Sequence, residues 1–180
     1  MQLYCGIDLH PDNGYYAIVD KDGKRIHGKR LRNDPEKILR LLKMFEEDLE
    51  GVAIEATSCC YWLADLLEDN NYKVLLANPA AMDQYDGLKD ANDKTDAFFV
   101  AELYRLHILP TGYIMPREQR PIRDLLRRRL LFVHLRTSLI LSLQALLGRE
   151  SGHKYKWKDV EKLAIEDFEE ILCHDPILLY

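Results

Sequence analysis

The sequence lacks the segments that direct a protein out of the cytoplasm or into a membrane. Residues 1–4 lead directly into a strand-like pattern, without the basic segment and apolar run of a signal peptide. We find no stretch with the ~18 apolar residues that a membrane-spanning helix requires. We therefore expect a cytoplasmic protein that does not enter a membrane.

Cysteine is also scarce, and its spacing excludes a common kind of metal site. The chain has four cysteines, Cys5, Cys59, Cys60 and Cys173, and no two of them are spaced as Cys-x-x-Cys. They therefore do not predict a zinc site. We expect reduced and mostly buried thiols.

An excess of positive charge is missing as well. The net charge is −5, so the chain as a whole is not a basic nucleic-acid binder, and positive charge has to be sought locally. The hydrophobic fraction of 47% is enough for a folded core and excludes a disordered chain. The sequence has neither an internal repeat nor a low-complexity tract.

The first half of the sequence predicts an α/β domain. Leu3, Cys5 and Ile7 alternate with less apolar residues, which is typical of a half-buried strand. Two further strands, over residues 15–20 and 25–31, complete an antiparallel meander.

Helices are predicted to alternate with the later strands. The first helix begins with Asn33 or Asp34 as its cap and ends at Gly51. A strand over residues 52–54 precedes a helix capped by Thr57 or Ser58, and a fifth strand covers residues 73–77. In the resulting order, βββαβαβ, the later strands are parallel and their carboxyl ends share one edge of the sheet. Residues 86–92 are expected to form a polar, mobile segment.

The second half predicts a helical arm. A linker over residues 110–118 separates a domain of residues 1–109 from an arm of residues 119–180. The arm contains a long helix over residues 119–147 and an acidic amphipathic helix over residues 157–172. The apolar residues of the long helix form two adjacent rows, which favours a dimeric coiled coil or a bundle.

Four carboxylates form the candidate catalytic and metal-binding site. Asp8 and Glu55 end predicted strands, whereas Asp93 and Asp96 stand one turn apart at the start of a helix. Clustered carboxylates repel one another, and Mg²⁺ (or Mn²⁺), which prefers oxygen ligands, relieves that repulsion. Two such ions can stabilise both oxygens of a phosphodiester exchange. His10 is interpreted as a turn residue rather than as a ligand.

Five stretches of the chain resemble the DEDD transposases and recombinases of bacterial insertion sequences, a family that includes the Piv-type DNA invertases. The stretches are Gly6-Ile7-Asp8-Leu9-His10, Ile54-Glu55-Ala56-Thr57, Leu76-Ala77-Asn78-Pro79-Ala80, Asp93-Lys94-Thr95-Asp96-Ala97 and Arg136-Thr137-Ser138-Leu139. Their order and spacing fit that family over residues 3–147.

The resemblance implies a fold, an activity and partners. The fold would be the RNase H-like mixed sheet of the RuvC resolvases, followed by a coiled-coil arm that supports dimers or tetramers. Asp8, Glu55, Asp93 and Asp96 would be the four metal-binding acids, DNA the substrate, and a structured RNA of the element the guide. Family members continue into a second domain with a nucleophilic serine, so we expect this chain to represent the N-terminal part alone.

A basic stripe in the predicted arm is the candidate nucleic-acid surface. Seven arginines and two acids between residues 117 and 136 leave a local excess of five positive charges, which suits a phosphate backbone. The residues assigned to this surface are Arg120, Arg123, Arg127 and Arg128, together with Lys94 beside the acids. The alternative is a solvated face that pairs with the acidic helix around residues 161–170.

Two alternative functions remain open on sequence grounds. A non-catalytic module for oligomerisation or nucleic-acid binding would make the acids incidental and the helical arm the functional part. Half of an actin-like ATPase would explain the sequence Gly6-Ile7-Asp8-Leu9, although that fold requires a second, similar lobe.

Overall fold

The computed structural model describes residues 1–88 and 93–172. The chain divides into two compact units, Met1–Ile114 and Met115–Tyr180. The first unit contains strands β1 (Leu3–Leu9), β2 (Asn13–Asp20), β3 (Arg25–Arg32), β4 (Leu49–Glu55), β5 (Val74–Ala77) and β6 (Thr111–Gly112). Its helices are α1 (Pro35–Lys43), α2 (Tyr61–Asp69), α3 (Pro79–Met82) and α4 (Asp93–Arg105).

The six strands form one mixed sheet in the order β3-β2-β1-β4-β5-β6. Strands β1, β2 and β3 are antiparallel neighbours, and β4 and β5 continue the sheet parallel to β1. This is a mixed sheet flanked by helices and followed in the chain by a long helix, so the predicted α/β architecture is confirmed.

Both faces of the central strand are covered, which corrects one expectation. On one face Ile7 and Ile54 pack with α1 and α2 in a cluster that includes Ile38 and Leu63. On the other face Tyr4 and its neighbours pack with α4 in a second cluster. All seven residues of β1 are buried, so the prediction of a half-buried strand is wrong, because α4 covers the face that alternation assigns to solvent.

Gly6 allows α4 to approach β1 closely. A Cβ atom at this position would lie 2.2 Å from the carbonyl oxygen of Ala97 and 2.4 Å from the amide nitrogen of Ala101. Both are backbone atoms, which cannot rotate away as the end of a side chain can. Two residues earlier in β1, on the same face, the rings of Tyr4 and Tyr104 meet edge to face with centroids 5.2 Å apart.

Several predicted boundaries differ from those in the structure. Helix α1 begins after Asp34, whose side chain accepts a hydrogen bond from the Lys37 amide, but it ends at Lys43. Gly51 does not end that helix; it lies inside β4, where a Cβ would meet the Tyr104 hydroxyl at 2.6 Å. Cys60, rather than Thr57 or Ser58, occupies the N-cap of α2.

The predicted linker contains a strand that the sequence did not indicate. Residues 111–112 pair with β5 as β6, and the Asn78 amide donates to the Pro110 carbonyl over 2.9 Å. Two residues are too few for a periodic pattern. The segment predicted to be mobile, residues 86–92, lies largely outside the described side chains, and residues 89–92 lie outside the described backbone.

Two of the three cysteines that the structure describes are buried. These are Cys5 and Cys60, whereas Cys59 is partly exposed, and none of the three forms a disulfide. Burial raises the pKa of the Cys5 thiol to about 12, so this group stays protonated and unreactive. Cys173 lies outside the described residues.

The second unit is built on one long helix, α5 (Arg120–Ser151), which ends at Gly152 in a left-handed conformation with φ 71°. The acidic helix predicted over residues 157–172 is two shorter helices, α6 (Trp157–Val160) and α7 (Ile165–Leu172). They pack on the C-terminal half of α5, where Ile140, Leu147 and Val160 form a small core.

The apolar side chains in the N-terminal half of α5 are exposed, alongside its arginines. By length and composition alone, this helix could cross a membrane, and 11% of its most apolar window is buried. The expectation that no segment reaches the length of a membrane span is therefore wrong for α5. A helix that binds another protein surface has the same composition.

We expect that Gly6→Ala destabilises the first unit by about 3 kcal/mol, because the new methyl group overlaps two backbone atoms of α4. The measurement is chemical denaturation of the full chain, followed by circular dichroism.

Gly112→Ala is the matched control for this substitution. Its Cβ would meet only the Leu76 carbonyl oxygen, at an ordinary 3.7 Å, so we expect a change within about 0.5 kcal/mol. Equal stability of the Gly6→Ala variant and wild type would contradict the close packing of α4 on β1.

Candidate active site

Asp8 and Glu55 lie side by side at one edge of the sheet. Ile7 pairs with Ile54 in the parallel register of β1 and β4. The residues that follow them, Asp8 and Glu55, are therefore neighbours as well. Side chains alternate along a strand, and Asp8 and Glu55 therefore point to the face opposite the two isoleucines. That face is the one covered by α4.

Asp8 is one of two charged residues buried in the described part of the chain. It is 5% exposed, whereas Glu55, the last residue of β4, is half-buried. The chain turns immediately after Glu55, whose carbonyl accepts a hydrogen bond from the Thr57 amide over 2.9 Å. A buried carboxylate needs compensation from a nearby positive or polar group.

The direction of α4 brings its first turn to the same edge. Tyr104, near the end of α4, meets Tyr4, whereas Ala97, near its start, meets Gly6. The helix therefore runs antiparallel to β1, and its N-terminus lies at the level of Asp8. Asp96 precedes Ala97 in the first turn and is partly buried.

Two predicted site residues lie at the limit of the described structure. Asp93 is the first residue of α4 and Lys94 the second, but their side chains lie outside the described residues. The predictions that Asp93 shares a face with Asp96, and that Lys94 contacts nucleic acid, therefore remain predictions.

The donor chemistry of this edge fits a hard divalent cation. Asp8, Glu55 and Asp96 contribute carboxylate oxygens from three elements, and such oxygens are what Mg²⁺ prefers. Among the side chains that the structure describes, no three His, Cys, Asp or Glu residues form a ready-made metal cluster. The three described acids share one edge and one face, and the remaining predicted ligand, Asp93, begins the same helix turn.

His10 belongs to this edge, which the sequence did not reveal. Its Nε2 atom lies 3.2 Å from Oδ2 of Asp8, and His10 is the first residue after the end of β1. His10 is a residue of the turn after β1, as the sequence predicts, but that prediction does not include the contact with Asp8. The one signal that could have found it is its spacing of two from Asp8.

The predicted basic stripe lies along α5, and its arginines differ in their surroundings. Arg120 donates to the Met115 carbonyl over 2.7 Å, and Arg123 pairs with Asp124. Arg127 and Arg128 are exposed, and neither has an ion pair within the described residues. The side chains of Arg127 and Arg128 are therefore accessible to a binding partner.

Arg136 fits the alternative interpretation of the basic stripe, in which its arginines pair with the acidic segment around residues 161–170. Its guanidinium pairs with Glu161 and lies over the Trp157 ring, 5.1 Å from the centroid. This arginine ties α5 to the segment that contains α6. It is not a free cation of the stripe, because its charge is already used within the unit.

Comparison with known proteins identifies the family. The family model of the DEDD transposases of the IS110 type, described as a transposase, matches residues 5–150. That match spans most of the chain, and the chain belongs to this family. No curated protein matches it.

Two solved structures are similar at low sequence identity. RuvC of T. thermophilus, in complex with a Holliday junction substrate, has a TM-score of 0.46 and 14% identity, over 62% of this chain and 100% of that chain. The ethanolamine utilization protein EutJ of Carboxydothermus hydrogenoformans has a TM-score of 0.34 and 13% identity, over 51% of this chain and 42% of that chain.

Family membership confirms the predicted class of function. The chain is the catalytic domain of a DNA transposase, a nucleic-acid-cleaving enzyme. Nucleases of the DEDD class depend on divalent metal ions. Membership of a transposase family favours the transposase interpretation over the ATPase half and over the non-catalytic module.

Proposed function

We propose that Asp8, Glu55, Asp93 and Asp96 bind Mg²⁺ or Mn²⁺ and that this site cleaves and exchanges phosphodiester bonds of DNA. The observation that supports the proposal most directly is the register of β1 and β4. It sets Asp8 beside Glu55 on the face where α4 begins. When bound, a pair of divalent cations stabilises the attacking and leaving oxygens of such a reaction.

The residues of the chain have separate roles in this proposal. Asp8, held on the central strand, gives the site a rigid carboxylate, and Glu55 supplies a second from the adjacent strand. Asp96 and Asp93 approach from the first turn of α4. Together the acids concentrate negative charge that only a cation relieves, so they hold the metal rather than the DNA.

The DNA-contacting surface in this proposal is the exposed part of the basic stripe. Arg127 and Arg128 contact phosphate groups, with Arg120, Arg123 and Lys94 as further contacts. Phosphate contacts of this kind position a nucleic acid without reading its sequence. Selection of the target by a structured RNA is implied by the family resemblance alone.

Self-association through α5 is the third part of the proposal. We define the open apolar face as Ile122, Leu125, Leu126, Phe132, Val133 and Leu139, all exposed. The same side of the helix is covered by α6 and α7 further along, at Ile140 and Leu147. A second copy of the chain covers the open apolar face.

The protein works in the cytoplasm, where bacterial DNA is found, without entering a membrane.

Asp8→Asn should weaken Mn²⁺ binding by at least about 10-fold, because it removes a ligand charge from the site. Isothermal titration of the full chain measures the affinity, and cleavage of a DNA duplex measures activity. Asp83→Asn, an exposed acid elsewhere in the same unit, should bind as wild type does. Equal binding by the Asp8→Asn variant and wild type would favour the non-catalytic module.

Combined Arg127→Gln and Arg128→Gln substitutions should reduce the salt dependence of DNA binding. Each lost phosphate contact lowers the slope of log affinity against log salt by about 0.9 for duplex DNA. Fluorescence anisotropy at several salt concentrations gives this slope. Arg136→Gln is the matched control and should leave the slope unchanged, since Arg136 already pairs with Glu161. A double variant with the wild-type slope would exclude this surface.

Leu125→Glu with Phe132→Glu should convert the protein to a monomer, because it places charge in the centre of the open apolar face. The side chains of these residues are 72% and 64% exposed, so their replacement should leave the fold intact. Sedimentation equilibrium measures the mass. Leu141→Glu, on the other side of the helix and 57% exposed, is the control. A wild-type monomer that binds lipid vesicles would contradict self-association.

A further inference from the structure

The turn that follows Asp8 places an imidazole against the buried carboxylate. The His10 side chain is 44% exposed, whereas that of Asp8 is 8% exposed, and their nearest nitrogen and oxygen atoms are 3.2 Å apart. A buried carboxylate beside a half-exposed imidazole has a positive or polar neighbour on one of its two oxygens. His10 therefore lies where it can hold one oxygen of the Asp8 carboxylate.

The backbone that carries His10 is itself fixed by Asn33. Its side-chain amide donates both of its N–H groups, to the His10 carbonyl over 2.9 Å and to the Pro11 carbonyl over 2.8 Å. The Asn33 backbone amide also donates to the Asp12 carbonyl over 3.1 Å. Asn33 lies between β3 and α1, so the turn is attached to a separate part of the unit.

The two observations form one chain of contacts, from Asn33 through the turn to His10 and then to Asp8. We propose that His10 and Asn33 are positioning residues that orient the Asp8 carboxylate. With Oδ2 beside the imidazole, the carboxylate has one preferred rotation and presents its other oxygen towards the face shared with Glu55. This inference rests on the proposed function, because it assigns a role at the same acidic site.

The physical reason is that a carboxylate on a short side chain rotates freely unless one oxygen is held. Groups that hold metal-binding side chains in this way typically change metal affinity 10- to 100-fold when removed. A positioning role requires a polar group at the end of the side chain of residue 10, but it does not require an imidazole. Glutamine can supply that group, whereas alanine cannot.

The test is Mn²⁺ titration of the full chain by isothermal calorimetry. We expect His10→Ala to lower the affinity about 10- to 100-fold and Asn33→Ala to lower it in the same direction. His10→Gln should restore most of the affinity lost in the alanine variant. His153→Ala, an exposed histidine of the second unit, is the matched control and should bind as wild type does.

Thermal melting separates positioning from damage to the fold. The melting temperature of the His10→Ala variant should stay near that of wild type, because the side chain is half exposed. Wild-type Mn²⁺ affinity in the His10→Ala variant overturns the role of His10. A melting temperature low enough to explain the loss of Mn²⁺ affinity by unfolding overturns it as well. Failure of His10→Gln to restore binding overturns it too, since the imidazole would then be a ligand itself. Wild-type affinity of Asn33→Ala overturns the part assigned to Asn33.

The proposed function and this inference fail in different ways. If Asp8→Asn binds Mn²⁺ as wild type does, the metal site itself is refuted, and the positioning role with it. If Asp8→Asn loses binding whereas His10→Ala retains it, the metal site stands and the positioning role is overturned.

Discussion

The backbone contact between α4 and Gly6 is the constraint on which the acidic site depends. A helix usually packs on a sheet through side chains, at a distance that those side chains set. Here the missing Cβ of Gly6 lets the Ala97 carbonyl and the Ala101 amide come within 2.2–2.4 Å of where a methyl group would lie. The first turn of α4, and Asp96 with it, is thereby brought down to the edge where Asp8 and Glu55 end their strands.

This arrangement places like charge at one edge of the sheet, where Asp8 is buried and Glu55 and Asp96 are partly buried. Asp8 lies on the central strand, covered on both faces by helices, and two further acids face the same edge. A fold gains nothing in stability from such a set by itself, because desolvation and repulsion both oppose it. A set of this kind suits a site that binds a divalent cation.

The long helix of the second unit shows how one apolar pattern can serve two purposes. Its C-terminal half is covered by α6 and α7 of the same chain, with Arg136 paired to Glu161 at the boundary. Its N-terminal half presents the open apolar face and the exposed arginines Arg127 and Arg128. Apolar and basic side chains on one exposed helix suit a surface that binds both a protein and a nucleic acid.

The sequence by itself determined the succession of the first five strands and their two helices, a cap of α1 at Asn33 or Asp34, a long helix in the second half and the resemblance to the family. These features depend on local chemistry: periodicity, capping and short motifs are written in neighbouring residues. Only the tertiary structure decided that β1 is buried on both faces, that Gly51 lies inside a strand, that residues 111–112 form β6 and that His10 faces Asp8. Each of these depends on which distant segment packs against the residue, and α4, the Asn33 side chain and β5 carry no local signal of their partners.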